Sequence, residues 1–309
     1  METIKYNKEN TPNASKLMES LRYSGYDNNI AILDLIDNSL DANASNVNIE
    51  INLDHKKESY IIIEDDGTGM DEEILKQALR LGSITHRNIE SDLGRFGMGM
   101  VTASISIAKR IEVFTKFQGH PMLTSIMDLD EMAKNNNFNV YREKSTPEEI
   151  KFAQLHGLGG SGTVLVLRKC DKLTKPGLTE FVDSLKKDIG ETYRYFLRSG
   201  KKIIVNKEVV EIVDPMWTDG ALTEEYKKKS EIYSEERYDI KIDGSDRKES
   251  YEVKIYVLPK FDQVIMRKLK IGIKNQGFYI LRNYRQISKS DDLGGIWNKD
   301  PHLNNIRAE

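Results

Sequence analysis

The chain has 309 residues, of which 39% are hydrophobic and 31% charged, and its formal net charge is -3. This composition excludes a disordered or collagen-like chain, and the length leaves room for two domains. The near-neutral charge argues against a protein that wraps nucleic acid over its whole surface, while a local basic patch stays open. The single cysteine, Cys170, excludes an internal disulfide and fits a reducing compartment.

The distribution of apolar residues does not suggest a membrane protein. No apolar run is long enough to span a bilayer, and the first ten residues lack the apolar core of a signal peptide. We therefore expect a cytoplasmic protein that has no membrane partner.

The first two thirds of the chain predict alternating helices and strands from their apolar periodicity. Helices are expected at 12–24, 28–42, from an N-cap at Asp71 to near 82, 101–108 and 179–198. Strands are expected at 47–53, 60–63, 111–117, 122–128 and 162–168, with an irregular Asn-rich stretch at 134–138. This alternation favours an α/β fold.

From residue 201 the pattern changes to strands joined by long polar connections. The expected strands are 203–205, 251–258, 271–273 and 277–281. The charged run 223–249 predicts a solvated helix and loop. The final residues show no closing helix, so we expect a second domain that is cut short.

The helix predicted at 28–42 carries an unusual polar face. Asp34, Asn38 and Asp41 recur at i, i+4 and i+7, opposite an apolar face. Burying such carboxylates without a partner is costly, so this face must be solvated or meet a cation. An Asn and an Asp one turn apart suit Mg²⁺, which takes few protein oxygens and keeps several waters. A solvated polar face fits the same pattern.

A glycine-rich turn follows the strand at 60–63. In Asp65-Asp-Gly-Thr-Gly69, the glycines Gly67 and Gly69 permit close approach of a flat ligand. Asp65 could accept a hydrogen bond from an exocyclic amine of that ligand. A plain Asp-Gly turn is the alternative.

A second glycine-rich segment, Gly94-Arg-Phe-Gly-Met-Gly99, precedes the helix at 101–108. Backbone N–H groups at such a helix start can bind phosphate. The G-x-x-G-x-G spacing matches neither the dinucleotide fingerprint nor the P-loop, so those two nucleotide folds are disfavoured.

The order of these motifs, followed by Gly162-Thr163 at the start of a strand, resembles the GHKL ATPases over roughly residues 12–200. That family joins gyrase B, the ninety-kilodalton heat-shock chaperone, histidine kinases and MutL, with the related microrchidia ATPases. The matching text is Asp34-Leu-Ile-Asp-Asn-Ser-Leu-Asp-Ala42, Glu64-Asp-Asp-Gly-Thr-Gly-Met70 and Leu93-Gly-Arg-Phe-Gly-Met-Gly-Met-Val-Thr-Ala103.

The resemblance implies a Bergerat fold, a two-layer sandwich of a mixed, mostly antiparallel sheet with helices on one face. It places this ATP-binding domain at 1–200, with a mobile lid at about 71–100. Residues 201–309 resemble the α/β transducer domain of MutL and microrchidia relatives, in an incomplete form.

The resemblance also implies roles for single residues. Asn38 would be the Mg²⁺ ligand, and Asp65 would accept from the adenine amine, supported by Thr163 through water. Gly69 and Met70 would wall the base. The remaining residues assigned to ATP binding are Asp41, Ala42, Gly67, Ser83, Thr85, Gly94, Arg95, Phe96, Gly97, Met98, Gly99 and Met100. Plain surface exposure is the alternative for Ser83, Thr85 and their neighbours His86 and Arg87.

One position departs from the family pattern. Asp34 stands where relatives carry the glutamate that serves as general base for the attacking water. Because aspartate is one methylene shorter, we expect slow turnover. The lysine that the transducer domain of such relatives supplies to the γ-phosphate cannot be identified in this sequence.

These features favour a slow, Mg²⁺-dependent ATPase that works as an ATP-operated dimerising clamp or chaperone-like switch, with ATP and ADP as ligands and DNA or protein as client. A non-catalytic nucleotide-sensing module is the alternative. A histidine-kinase-type phosphotransferase is disfavoured, because the residues before the helix at 28–42 contain no phosphoacceptor histidine.

Overall fold

The computed structural model describes residues 12–23, 25–81, 93, 99–138, 140–173, 178–218, 228–241, 248–269 and 271–309. By their internal contacts these residues fall into two compact units. The first unit draws on 1–186 and 201–210, and the second on 187–200 and 211–309. The predicted domain boundary at residue 200 stays a prediction.

The first unit is built on one large sheet. Its helices are α1 Ala14–Arg22, α2 Asn28–Asp41, α3 Glu72–Ala78, α4 Gly99–Ile107, α5 Leu129–Asn135, α6 Pro147–Leu155 and the first part of α7 Leu178–Thr192. Its strands are β1 Asn46–Leu53, β2 Ser59–Asp65, β3 Arg110–Lys116, β4 Leu123–Asp128, β5 Tyr141–Lys144, β6 Gly162–Arg168, β7 Lys202–Val205 and β8 Glu208–Val209.

The eight described strands lie in the order β5-β4-β3-β6-β2-β1-β7-β8. All neighbouring pairs are antiparallel except β1 and β7, which are parallel. The mixed, mostly antiparallel sheet expected from the sequence is therefore confirmed. Strand β7 belongs to this sheet, since 46–49 of β1 pair with 202–205.

Alternation along β2 divides the core between the two faces of the sheet. Ile61 and Ile63 are buried and share a face with Asp65, which contacts α2. Helix α4 packs against α2 in the same helical layer. Ile62 lies on the opposite face, in a cluster with Phe114 and with Ala153 of α6. The short helix α6 therefore covers part of the second face.

Helix ends in this unit follow from local capping. The side chain of Asp27 accepts hydrogen bonds from the first amides of α2, and Asp71 caps α3 in the same way. Helix α3 ends at Ala78, earlier than the predicted end near 82. Helices α5 and α6 and strand β5 are not among the predicted elements.

The second unit contains a smaller sheet. Its elements are the end of α7, α8 Arg194–Arg198, β9 Glu231–Lys241, β10 Lys248–Val257, α9 Gln263–Lys268, β11 Phe278–Arg282, β12 Arg285–Asp291 and β13 Ile306–Ala308. The described strands lie in the order β12-β11-β13-β10-β9. Met216, Tyr256 and Tyr279 form a buried cluster in this unit.

Three predictions for this part of the chain are wrong. The helix predicted at 179–198 is interrupted at Tyr193, which separates α7 from α8. The charged run predicted as helix and loop instead contains β9 and the start of β10. The strand predicted at 271–273 is instead a bend that leads into a 3₁₀ turn at Ile273–Asn275. In the part of the chain that the structure describes, no helix could cross a membrane.

Candidate nucleotide-binding site

Helix α2 presents the predicted polar face beside the sheet. Asp34 and Asn38 are both half-buried on this helix. The Asn38 Nδ2 donates to the backbone carbonyl of Asp34 at 2.9 Å, which fixes the plane of the amide. With its nitrogen turned to the helix, the amide directs Oδ1 the other way, and an amide oxygen is a suitable ligand for Mg²⁺.

The side chain of Asp34 is held by a residue that the sequence analysis missed. The hydroxyl of Tyr26 donates to Asp34 Oδ2 at 2.8 Å. Tyr26 lies just before the N-cap of α2, so its ring reaches the helix from the preceding loop. The bond restrains the carboxylate for which the resemblance implies the role of general base.

Asp65 ends β2 with its carboxylate turned toward α2. It accepts a hydrogen bond from Ser39 Oγ at 3.0 Å and one from the Gly67 amide at 3.0 Å. Burial raises the pKa of Asp65 to about 6, and these two hydrogen bonds lower it only in part. Thr163 faces Asp65 directly across the β2–β6 pair. Asp65 and Thr163 therefore lie together, as the resemblance implies.

Thr115, a fully buried residue of β3, connects the parts of this site. Its Oγ1 accepts from the Met70 amide at 2.8 Å and lies 3.2 Å from Thr163 Oγ1. It also donates to the Gly162 carbonyl at 3.1 Å. Sequence reasoning missed Thr115 because it is distant along the chain from every motif.

Two glycines allow the strand ends to approach closely. A Cβ added to Gly162, which has a φ of +134°, would lie 2.1 Å from the carbonyl oxygen of Asp65. A Cβ on Gly69, at a φ of +69°, would lie 2.1 Å from the carbonyl oxygen of Lys116. Only glycine fits such close contacts. Gly162 and Gly69 therefore allow the turn after Asp65 to pack against the ends of the neighbouring strands.

The turn is also tied to the end of α2. The Thr68 amide donates to the carbonyl of Ala42 at 2.9 Å, and a Cβ on Gly67 would lie 2.7 Å from the same oxygen. Ala42 and Gly67 therefore hold the glycine-rich turn and α2 together.

Asp41 links α2 to the end of the predicted lid. Its Oδ1 accepts from the Leu93 amide at 2.8 Å. Gly99 and Met100 begin α4, where a Cβ on Gly99 would meet no atom of the described residues within 4 Å. The predicted lid residues Ser83, Thr85, His86, Arg87, Gly94, Arg95, Phe96, Gly97 and Met98 lie outside the described residues.

These residues fit an adenine nucleotide with Mg²⁺ in their chemistry. The half-buried Asp65 carboxylate suits an exocyclic amine, the Asn38 amide suits a hard cation, and the start of α4 suits an anion. A separate apolar cavity of about 830 Å³ lies in the same unit. It is lined by residues of α1, α3, β4 and α5 and by neither Asn38, Asp65 nor Thr163, so it is not this site.

The fold and this arrangement together define a class of protein. The family model of the histidine kinase-, DNA gyrase B- and HSP90-like ATPases matches residues 26–161. This part of the chain therefore matches the GHKL ATPases, and the resemblance drawn from the motifs is confirmed.

Two curated proteins of Arabidopsis thaliana share sequence with the chain. Protein MICRORCHIDIA 5 is 33% identical over 94 residues, and Protein MICRORCHIDIA 7 is 31% identical over 94 residues. Each alignment covers 29% of this chain and 13% of the plant protein. The similarity therefore concerns a short part of these relatives.

Proposed function

We propose that the first unit binds ATP with Mg²⁺ and hydrolyses it slowly. The observation that carries the proposal is the surrounding of Asp65. This half-buried carboxylate accepts from Ser39 of α2 and lies across the β2–β6 pair from Thr163, which is hydrogen-bonded to Thr115 of β3. The match of residues 26–161 to an ATPase family model supports the same activity.

Each residue would contribute a separate step of recognition. Asp65 would accept from the adenine amine, which favours its charged form, and Thr163 would support the contact through water. Asn38 Oδ1 would bind Mg²⁺, which neutralises charge on the phosphates when bound. The start of α4 would offer backbone amides to those phosphates.

Asp34 would act in the hydrolytic step. It would accept the proton that water gives up as the water oxygen bonds to the terminal phosphorus and the bond to ADP breaks. Because aspartate is one methylene shorter than glutamate, its oxygens would lie farther from the attacking water. We therefore expect a low rate of hydrolysis. The Tyr26 hydroxyl offsets part of this disadvantage by restraining the carboxylate.

We further propose that nucleotide binding operates a dimerising clamp. Helix α2 carries the proposed Mg²⁺ ligand, Asn38. Through Asp41, which accepts from the Leu93 amide, the same helix also contacts the end of the predicted lid. A loop ordered by a terminal phosphate is a known switching device. The client, DNA or protein, would be held while the clamp is closed.

Calorimetric titration with ATP and Mg²⁺ tests binding. Asp65→Asn should abolish binding, because an amide nitrogen would then face the adenine amine. Asp71→Asn is the matched control, since asparagine caps a helix as well as aspartate does. Equal affinity of the Asp65→Asn variant and the control would contradict the proposed adenine contact.

Phosphate release under steady-state conditions tests turnover. Asp34→Ala should leave the ATP affinity intact and remove hydrolysis. Unchanged hydrolysis would eliminate Asp34 as the base. Tight binding without any hydrolysis by the unaltered chain would favour the nucleotide-sensing alternative.

Sedimentation velocity with a non-hydrolysable ATP analogue tests the clamp. The analogue should shift the chain toward a heavier or more compact species, and Asp65→Asn should prevent that shift. An identical sedimentation profile with and without the analogue would count against a clamp.

A further inference from the structure

The hairpin of β9 and β10 exposes both faces of its outer strand. β9 is the last strand of the described five-stranded sheet, and every side chain from Glu235 to Lys241 is exposed. Tyr238 and Ile240 expose 45% and 49% of their surface. An outermost strand whose edge is unpaired in the described sheet and that exposes apolar side chains is a template for pairing with another chain.

The side chains of this edge follow a regular alternation. On one face the charges run Glu235, Arg237, Asp239, Lys241, so that acid and base alternate. On the other face lie Glu236, Tyr238 and Ile240. The irregularity in the β9–β10 pairing lies between Ile255 and Tyr256, opposite the start of β9 and outside this stretch.

This alternation is complementary to itself when the strand is reversed. A two-fold axis through Tyr238, perpendicular to the sheet, would place Arg237 opposite the second copy's Asp239. The same axis would place Glu235 opposite the second copy's Lys241. Opposite charges directly across an antiparallel pair are stabilising, whereas like charges are destabilising.

We propose that β9 pairs with β9 of a second copy of this chain, antiparallel and centred on Tyr238, to give one continuous ten-stranded sheet. Each face remains on its own side under this axis, so the two charged faces adjoin. Neighbouring centres fit less well. An axis through Arg237 would oppose the two arginines and would place Glu235 against the second copy's Asp239.

The aromatic side chains support the same centre. Tyr238 stacks on Tyr251 of β10 with ring centroids 5.2 Å apart and planes 18° apart. At the two-fold axis the second copy's Tyr238 would lie beside the first, giving a row of four tyrosines. Ile240 would lie against the aliphatic part of the second copy's Glu236, which covers apolar surface that is exposed in the single chain.

This pairing is independent of the proposed ATPase. It uses residues of the second unit alone and requires no nucleotide, so it should persist in Asp65→Asn. The paired surface is short, and we therefore expect a weak dimer that depends on protein concentration.

Cysteine cross-linking tests the register. Facing side chains in an antiparallel pair have Cβ atoms about 4.5–5.5 Å apart, close to disulfide geometry. Tyr238→Cys should form a disulfide-linked dimer under mild oxidation without nucleotide. Ile240→Cys is the matched control, because its nearest copy would lie four residues away along the strand. The native Cys170 is buried and its thiol pKa is raised to about 12, so it should not react.

Dimerisation of both cysteine variants to the same extent, or of neither, would overturn the register. Selective cross-linking of Tyr238→Cys would support it.

Charge exchange tests the complementarity by sedimentation equilibrium. Arg237→Asp should raise the dissociation constant of the dimer by about tenfold, because two attractive pairs become repulsive. Arg237→Asp with Asp239→Arg should restore the affinity, since the order of charges is again self-complementary. Arg267→Asp, an exposed change of the same charge on α9, is the control.

A chain that stays monomeric at every concentration would overturn the proposal. So would a dimer that Arg237→Asp leaves unchanged, or one that the exchanged pair fails to restore.

Discussion

The strand ends around Asp65 and the β9 hairpin are both built from β-strands, but they differ in how far their side chains are buried. Around Asp65, the buried side chains of Thr115 and Thr163 are hydrogen-bonded to each other, and the half-buried Asp65 carboxylate accepts from Ser39 of α2. Along β9, the side chains are exposed and the outer edge is unpaired within the described sheet. The first arrangement fixes positions, and the second leaves a surface available.

The energetic consequence differs accordingly. A buried polar group that loses its partner retains the full cost of its desolvation. An exposed side chain that is changed loses little, because water replaces its contacts. Substitutions that disturb the packed strand ends beside Asp65 should therefore destabilise the chain strongly, and substitutions on β9 should affect association instead.

The largest effect is expected from Gly162→Ala. The new Cβ would collide with the Asp65 carbonyl oxygen at 2.1 Å, and φ of +134° disfavours any side chain. We expect the free energy of unfolding to fall by about 4 kcal/mol or more in urea denaturation. Gly119→Ala, at a φ of +78° with nothing within 4 Å, isolates the backbone strain and should cost about 1–2 kcal/mol. Equal losses in the two variants would refute the collision.

Arg194→Leu makes the same comparison of buried and exposed side chains within the second unit. Arg194 is fully buried, donates to Gln286 Oε1 at 2.6 Å, and pairs with Glu309. Its removal would leave a buried carboxylate and a buried amide without this partner, at about 3–5 kcal/mol in urea denaturation. Arg237→Leu on β9 should change stability by less than about 0.5 kcal/mol. A small loss for Arg194→Leu would mean that burial does not govern the difference.

The pH dependence of stability should separate Asp65 from ordinary carboxylates. The pKa of Asp65 is raised to about 6 from 3.8, so the folded chain binds this proton more tightly than the unfolded chain does. Its contribution to stability is therefore greatest below about pH 4 and is lost as pH rises through 6. Asp65→Asn removes that loss and should be more stable than the unaltered chain by about 3 kcal/mol at pH 7.

Urea denaturation across pH 4–8 without nucleotide would measure this difference. The gain should disappear at the acid end. A gain that is independent of pH would mean that the amide stabilises the site for another reason.

Periodicity predicted the parts of the site that lie within one element. The polar face of α2, the strand before Asp65 and the cap at Asp71 are local features, and the structure places each where the sequence indicates. Thr115 could not be found in this way. It touches Met70 through a hydrogen bond that depends on the pairing of β3 with β6, which no local pattern reveals.

The β9 prediction failed for a different reason. Its run of mixed charges was interpreted as a solvated helix, although Glu235, Arg237, Asp239 and Lys241 recur with period two. Exposure on both faces removed the apolar alternation that normally identifies a strand. The charge alternation itself was the available signal, and it indicates both the strand and its complementarity.

The smallest effect is expected from Tyr26→Phe, which removes a single hydroxyl beside the proposed base. That hydroxyl donates to Asp34 at 2.8 Å, so its loss removes one restraint on the carboxylate without changing the proposed adenine contact at Asp65. We expect the rate of ATP hydrolysis to fall by about three- to tenfold with little change in ATP affinity, consistent with the loss of one hydrogen bond to a charged group. Tyr23→Phe, a nearby exposed tyrosine, is the control. A loss of affinity equal to the loss of rate would show instead that Tyr26 supports the fold of the site as a whole.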